Sequence, residues 1–173
     1  MKLYAKEKFF TLKDRFRFFS ETDEDVFFVE GKFWSWTKKL TMTDPAGNEL
    51  AFIKEEFWSW LPKYYVYING ELKATIKKHF TFLKARYSID CKGWDINGDV
   101  WDHNYTITQG SQQIASVHKK WLTWGDSYEI DIADPKDAVL VASIVLCIDC
   151  VQERQAAAAS SSSAGSSASA ASH

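Results

Sequence analysis

The chain has 173 residues and a mass of 19.9 kDa, a size typical of one domain, and its 46% apolar residues suffice for a substantial core. A net charge of −2 argues against nucleic acid as a partner, because nucleic-acid binders usually carry excess positive charge. Residues 1–8 hold no apolar run that could act as a signal peptide or anchor, and the cysteine count of three is odd. We therefore expect a cytoplasmic domain whose cysteines are free thiols.

A short sequence motif, called the phrase below, occurs five times in the first three quarters of the chain. Each copy has a large apolar residue, Ser or Thr, a second large apolar residue, a turn, and then an apolar pair in alternation. The alternation is that of a half-buried strand, so the phrase reads as strand, tight turn, strand. Its repetition predicts an antiparallel β architecture. The three-residue cores of the copies are 10–12, 34–36, 58–60, 80–82 and 122–124.

A second set of turns alternates with these phrases. The sharpest is Asn69 with Gly70, a pair that suits the positive φ angles of a type I′ hairpin turn. We predict a further hairpin at Asn97 and Gly98, which share that chemistry. The turns divide the chain into about twelve predicted strands: 2–10, 16–20, 26–34, 40–43, 49–58, 64–68, 71–80, 87–91, 94–97, 99–108, 112–122 and 128–132.

After the last strand the apolar pattern changes to that of a buried helix. Residues 138–148 are apolar on every side, and Asp134 followed by Pro135 is a typical helix start, which predicts a helix over residues 136–151. Its roughly 11 apolar residues fall short of the ~20 that span a bilayer, so it must be buried in protein. A barrel of about twelve strands has room for it.

The predicted fold is therefore mainly β: an antiparallel, closed barrel of about twelve strands that encloses a C-terminal hydrophobic α-helix. We assign residues 1–152 to this barrel domain. From residue 155 the chain is almost entirely Ala and Ser, a composition with little to bury. Residues 153–173 are therefore predicted to form a disordered tail.

Several segments resemble the LURP-one-related family of the tubby C-terminal-like superfamily. They are residues 32–36, 47–53, 76–82 and 119–132, together with the closing helix that ends in Ile148 and Asp149. The resemblance covers residues 1 to about 152 and implies the barrel described above. In that superfamily, tubby domains are membrane-associated phosphoinositide binders and phospholipid scramblases share the fold. No segment here matches the basic headgroup residues of tubby proteins or the membrane-inserting, palmitoylated and calcium-binding features of scramblases.

An up-and-down order of strands would place every phrase turn at one end of the barrel, the first end, and the other turns at the second end. The second end would be acidic, with residues such as Asp23, Asp44 and Asp134. The first end would combine basic and aromatic residues, as an interfacial lipid contact requires. Alternatively, the aromatics are core and the lysines are solvated turn residues. The predicted lipid-binding residues are Lys13, Arg15, Lys38, Lys39, Lys63, Lys84, Arg86, Trp36, Trp60 and Trp124.

Other candidate sites have simpler explanations in the fold. Cys147 and Cys150 have metal-like spacing but an apolar setting, which favours buried core thiols. Residues 95–102 lack the spacing and terminal Glu of a calcium loop. His103 is expected at the surface or satisfied in the core. Asp149 must either find a buried partner, keep its proton or mark the exit of the helix from the barrel, which is the simpler account.

We predict no metal site, cofactor or catalytic residue, and a monomeric, non-enzymatic binding or adaptor module. Its predicted partner is anionic, phosphoinositide-like lipid, which would place it in the cytoplasm at the inner membrane surface, or else a protein. Two alternatives remain open. One is an intracellular small-ligand carrier or an enzyme that uses a groove between rim loops. The other is a protein-interaction scaffold without a lipid role.

Overall fold

Twelve strands and one helix make up the fold in the computed structural model, which describes residues 1–6, 15–31, 38–56, 61–79, 86–122 and 125–163. All twelve predicted strands are present, with boundaries that differ by a few residues. The strands are β1 Lys2–Lys6, β2 Arg15–Phe19, β3 Asp25–Gly31, β4 Lys39–Thr43, β5 Glu49–Glu55, β6 Lys63–Ile68, β7 Glu71–His79, β8 Arg86–Asp90, β9 Trp94–Asp99, β10 Asn104–Gln109, β11 Gln112–Leu122 and β12 Gly125–Ile132.

The strands form one antiparallel meander that curls into a barrel. Strands β1 to β8 are paired in chain order, as are β9 to β12, and β1 pairs with β12 to join the two runs. In the described part of the chain no ladder joins β8 to β9, so the predicted closed barrel is better described as nearly closed. The prediction of a mainly β, antiparallel, twelve-stranded barrel is confirmed.

Alternation along the strands separates a dry interior from the outer wall. Leu40 on β4, Ile53 on β5, Val66 on β6 and Ala74 on β7 lie side by side and are essentially inaccessible to water. Their sequence neighbours on both sides point outward, because successive strand residues face opposite sides of a sheet. The inward rows enclose the helix, and burial of this apolar surface is the main stabilising term of the fold.

The helix begins as predicted and ends later than predicted. The Asp134 side chain accepts a hydrogen bond from the backbone N–H of Lys136, and a 3₁₀ turn at Pro135–Asp137 leads into α1, Ala138–Ser163. At 1.5 Å per residue, its 26 residues span about 39 Å. The helix is buried as far as Val151. The predicted domain boundary at residue 152 remains a prediction, and residues 164–173 lie outside the described residues.

The predicted hairpin at Asn97 and Gly98 is wrong. Strand β9 continues to Asp99, Gly98 pairs with Tyr105, and the chain turns at residues 100–103 instead. A Cβ on Gly98 would lie 2.6 Å from the backbone oxygen of Asn104, so this glycine serves a close approach of two strands and not a turn. The chemically similar pair Asn69 and Gly70 does form its predicted turn, with φ angles of 52° and 75°.

Candidate functional site

Much of the predicted first end lies outside the described residues. This applies to five of the ten predicted lipid-binding residues: Lys13, Lys84, Trp36, Trp60 and Trp124. Arg15 and Arg86 begin β2 and β8 at the first end, as expected from the meander. Lys38, Lys39 and Lys63 are the remaining three.

Lys38 faces the interior of the barrel. It is 8% exposed, and its Nζ donates a hydrogen bond to the backbone oxygen of Cys150 on the helix, at 3.4 Å. Its backbone N–H donates to the Glu55 carboxylate at 3.2 Å, and its backbone oxygen accepts from the N–H of Glu55. Lys38 therefore joins the helix to the barrel, and its ammonium is not presented to solvent.

Lys39 and Lys63 lie on the outer wall, each directly opposite another lysine. Lys39 on β4 pairs in register with Lys54 on β5, and Lys63 on β6 pairs with Lys77 on β7. Lys39, Lys54 and Lys77 are exposed, and Lys63 is half-buried. We call these four residues the lysine face. Like charges directly opposite one another destabilise a sheet, so these two pairs concentrate positive charge on the outer wall at a cost in stability.

Among the described residues, Glu56 compensates the charge of the lysine face at Lys63 and Lys77. Lys63 forms an ion pair with Glu56 at 2.9 Å, and its Nζ lies 4.7 Å from the ring centroid of Tyr65. In the described part of the chain, neither Lys39 nor Lys54 forms an ion pair. The pKa of Lys63 is raised by its hydrogen bonds with Tyr65 and with the Glu56 carboxylate. This ammonium therefore stays charged at neutral pH.

Aromatic and apolar side chains border the lysine face toward the second end. Phe52 on β5 pairs with Tyr67 on β6, with ring centroids 6.3 Å apart. Leu72, opposite Tyr67 on β7, is 52% exposed. Lysines beside tyrosine, phenylalanine and leucine form the mixed cationic and apolar surface that anionic membrane interfaces attract.

A second cluster, inside the first end, fixes the helix where it leaves the barrel. Asp149 is 3% exposed, and its carboxylate accepts a hydrogen bond from the Tyr128 hydroxyl at 2.5 Å and lies 3.1 Å from Nε2 of His103. The His103 and Tyr128 rings stack with centroids 4.6 Å apart. Asp149 is therefore buried with partners, and the helix leaves the barrel just beyond it, after Val151.

Further polar contacts surround this point. The Gln152 side chain donates to the backbone oxygen of Val100 at 2.6 Å, and Arg154 pairs with the buried carboxylate of Glu55. We call these contacts, with those of Lys38 and Asp149, the exit clasp. Desolvation raises the pKa of Asp149, although hydrogen bonds from His103 and Tyr128 oppose the rise. The groups of the exit clasp bond to one another and to the helix, which gives them an evident structural role.

The cysteines match the expectation of core thiols. Cys91, Cys147 and Cys150 are buried and form no disulfide. Burial raises the pKa of Cys147 well above its ordinary value, which keeps it a neutral thiol. Among the described residues, no group of three or more His, Cys, Asp or Glu is arranged to hold a metal ion. No described helix is both long and apolar enough to cross a membrane.

Comparison with known proteins identifies the family. The family model described as LURP-one-related matches residues 1–149. The chain belongs to the LURP-one-related family. A relative, uncharacterized protein YxjI of Bacillus subtilis strain 168, is 36% identical to this LURP-one-related protein over 151 residues, which cover 87% of this chain and 93% of the relative. The predicted family is thus confirmed.

The barrel also resembles an experimental structure. An Arabidopsis thaliana protein solved by X-ray crystallography matches with a TM-score of 0.59, covering 86% of this chain and 89% of that chain. The two sequences are 14% identical, so the likeness concerns the fold alone. It supports the barrel fold of this chain.

Proposed function

We propose that this protein is a non-enzymatic binding module that recognises anionic phospholipid headgroups through the lysine face. The observation that carries the proposal is the side-by-side placement of Lys39 with Lys54 and of Lys63 with Lys77 on four consecutive strands. Repulsion between the paired lysines lowers the stability of the sheet. Contact with an anionic surface would relieve this repulsion. The neighbouring aromatic and apolar residues favour a membrane lipid over a soluble anion. A soluble anion would contact only the lysines, whereas a lipid surface would also contact the apolar border.

The expected affinity is modest. A basic residue near an anionic membrane contributes about 1 kcal/mol, so four lysines give an upper limit of about 4 kcal/mol before mutual repulsion is subtracted. Phe52, Tyr67 and Leu72 add apolar contact at the interface. Binding should therefore be reversible and sensitive to salt, since the Debye length is only about 10 Å at 0.1 M ionic strength.

In the proposed mode of action, the wall formed by β4 to β7 lies against the membrane. The protein would act as a monomer at the cytoplasmic surface of the membrane, held there by charge and released when ionic strength rises. Lys38 has no part in the proposed surface because its ammonium bonds to the helix.

Vesicle sedimentation of the full chain tests the proposal. The protein is mixed at low salt with vesicles of neutral phosphatidylcholine or with vesicles that also contain phosphatidylserine or a phosphoinositide. The expected result is sedimentation with the anionic vesicles and release at about 0.5 M salt, where screening is nearly complete. Equal behaviour with neutral and anionic vesicles at low salt would refute the proposed function.

Trp101 favours a second candidate function, a protein-interaction scaffold. It is 47% exposed on the turn at residues 100–103, beside the exposed Asp102. Exposed tryptophans often become the energetic centre of protein interfaces. Trp101→Ala should then abolish capture of a partner without changing vesicle binding. Loss of vesicle binding with partner capture unchanged would assign Trp101 to the lipid function instead.

A further inference from the structure

A cavity of about 190 Å³ opens at the second end of the barrel, opposite the end near which the lysine face lies. It lies between the turn that joins β8 to β9, the start of β11 and the segment that leads into the helix. The side chains that matter for its chemistry are Lys92, Trp94, Gln112, Asp134, Lys136 and Asp137.

The ammonium of Lys92 occupies a cation site that other residues form. Its Nζ lies 3.1 Å from Oδ1 of Asp137 and 5.4 Å from the ring centroid of Trp94. A carboxylate combined with the face of an indole ring is the usual protein environment for organic ammonium ions. Asp137 and Trp94 are both buried, so this environment belongs to the barrel whether or not Lys92 fills it.

Lys92 holds this position from an exposed and strained turn. Its side chain is 53% exposed, whereas the Asp137 side chain is 9% exposed. Its φ of 46° lies in the left-handed region, where a residue with a side chain is disfavoured by roughly 1–2 kcal/mol. An exposed side chain on such a turn can move into solvent, which would leave the buried carboxylate open to another cation.

Trp94 supplies a second indication of a ligand. Its indole Nε1–H is buried and, among the described residues, has no hydrogen-bond partner. A buried donor left unpaired costs about 1–3 kcal/mol, so such donors usually bond to water or a ligand. Trp94 also lines the cavity, so a ligand's hydroxyl or carbonyl oxygen that reaches this N–H as Lys92 moves away could accept the bond.

We propose that the cavity is a binding site for a small organic ammonium ion that carries a hydroxyl or carbonyl oxygen. The ligand's ammonium replaces that of Lys92 between Asp137 and Trp94, and its oxygen accepts the indole N–H of Trp94. Lys92 acts as an internal competitor that closes the site when the ligand is absent. This site is independent of the proposed lipid contact, which uses other strands and the opposite charge.

NMR titration of the full chain tests the proposal, with the Trp94 indole resonance as the probe. The probe ligand is 2-aminoethanol, and its controls are ethylamine, which lacks the oxygen, and ethylene glycol, which lacks the ammonium. We expect a saturable shift with 2-aminoethanol, a weaker one with ethylamine and none with ethylene glycol. Trp94→Phe identifies the resonance, because it removes the indole N–H and keeps an aromatic ring.

Variants then separate a ligand site from a structural ion pair. Lys92→Met should tighten 2-aminoethanol binding by about tenfold, because the apparent affinity of a site rises when its competing state is removed. Asp137→Asn should weaken it by at least about tenfold, since a charge-assisted bond is lost. Lys73→Met, which removes an exposed lysine elsewhere, should leave the affinity unchanged.

Three results would overturn the proposal: no saturable shift in the wild type, an unchanged affinity in Lys92→Met, or binding by Lys92→Met alone. The last would make Lys92 a permanent structural occupant of the site. Should Asp137→Asn fail to fold, the comparison of the wild type with Lys92→Met still decides the matter. A negative result in the NMR titration would not refute the proposed lipid binding, because the vesicle experiment tests the lysine face and not the cavity.

Discussion

The Tyr128 hydroxyl donates a 2.5 Å hydrogen bond to the carboxylate of Asp149, which joins strand β12 to the helix inside the barrel. Both residues are buried, so the bond is formed away from water. In such surroundings a satisfied carboxylate fixes the position of its neighbours, and an unsatisfied one is strongly destabilising. This contact, with His103, determines where the helix leaves the barrel.

Tyr128→Phe should therefore destabilise the protein more than its loss of one atom suggests. It leaves the buried carboxylate of Asp149 without its hydroxyl partner, and the expected loss is about 1–3 kcal/mol in the free energy of unfolding. Urea denaturation measures the effect. Tyr67→Phe on the outer wall is the matched control and should change the free energy by less than about 0.5 kcal/mol. Equal losses in the free energy of unfolding for the two substitutions would show that the hydrogen bond to Asp149 does not stabilise the fold.

Asp149→Asn should change how stability depends on pH. Burial raises the pKa of Asp149 above its ordinary value of 3.8, so the folded state is favoured by the protonated carboxyl and loses this advantage as pH rises through the folded pKa. The asparagine variant cannot ionise. Its free energy of unfolding relative to the wild type should therefore increase as pH rises from about 4 to about 7.

Asp44→Asn is the control for this pH series. Hydrogen bonds from Asn48 lower the pKa of the half-buried Asp44 below its ordinary value of 3.8, so its contribution is complete above that pH and is lost only in stronger acid. The stability difference between this variant and the wild type should stay constant from about pH 4 to about pH 7. A constant difference for Asp149→Asn as well would contradict the raised pKa of Asp149.

Gly98→Ala should be among the most damaging small substitutions in the strands. The φ of Gly98 is 120°, and the added Cβ would meet the backbone oxygen of Asn104 at 2.6 Å. A strained backbone together with a steric conflict predicts a loss of about 2–4 kcal/mol. Gly47→Ala also introduces a Cβ at positive φ, 88°, but into open space, and should lose only about 1 kcal/mol. Thermal denaturation compares the two, and a ranking in the opposite order would be inconsistent with β9 passing through Gly98.

The sequence predicted the barrel well because local rules determine most of it. Alternation marks the strands, and the turn at Asn69 and Gly70 follows from the positive φ angles that these residues tolerate. The same rule failed at Asn97 and Gly98, where pairing with β10 requires a glycine inside the strand. Local chemistry alone could not distinguish these two uses of glycine.

The candidate sites depend on contacts that the sequence does not reveal. Lys54 and Lys77 each alternate with a buried isoleucine, which predicts exposure, but only the strand register places them beside Lys39 and Lys63. The partners of Asp149 are equally remote. His103 lies 46 residues away in the chain, and the turn that carries it follows a strand whose end was misplaced.

The most direct test of the proposed function compares two double variants that remove the same charge. Lys39→Gln with Lys54→Gln neutralises half of the lysine face, whereas Lys120→Gln with Lys136→Gln removes two exposed lysines elsewhere. At about 1 kcal/mol per lysine, the first pair should weaken binding to phosphatidylserine vesicles by about 10- to 30-fold at low salt. The second pair should weaken it by less than about threefold. Equal losses in the two variants would contradict a lipid-binding lysine face.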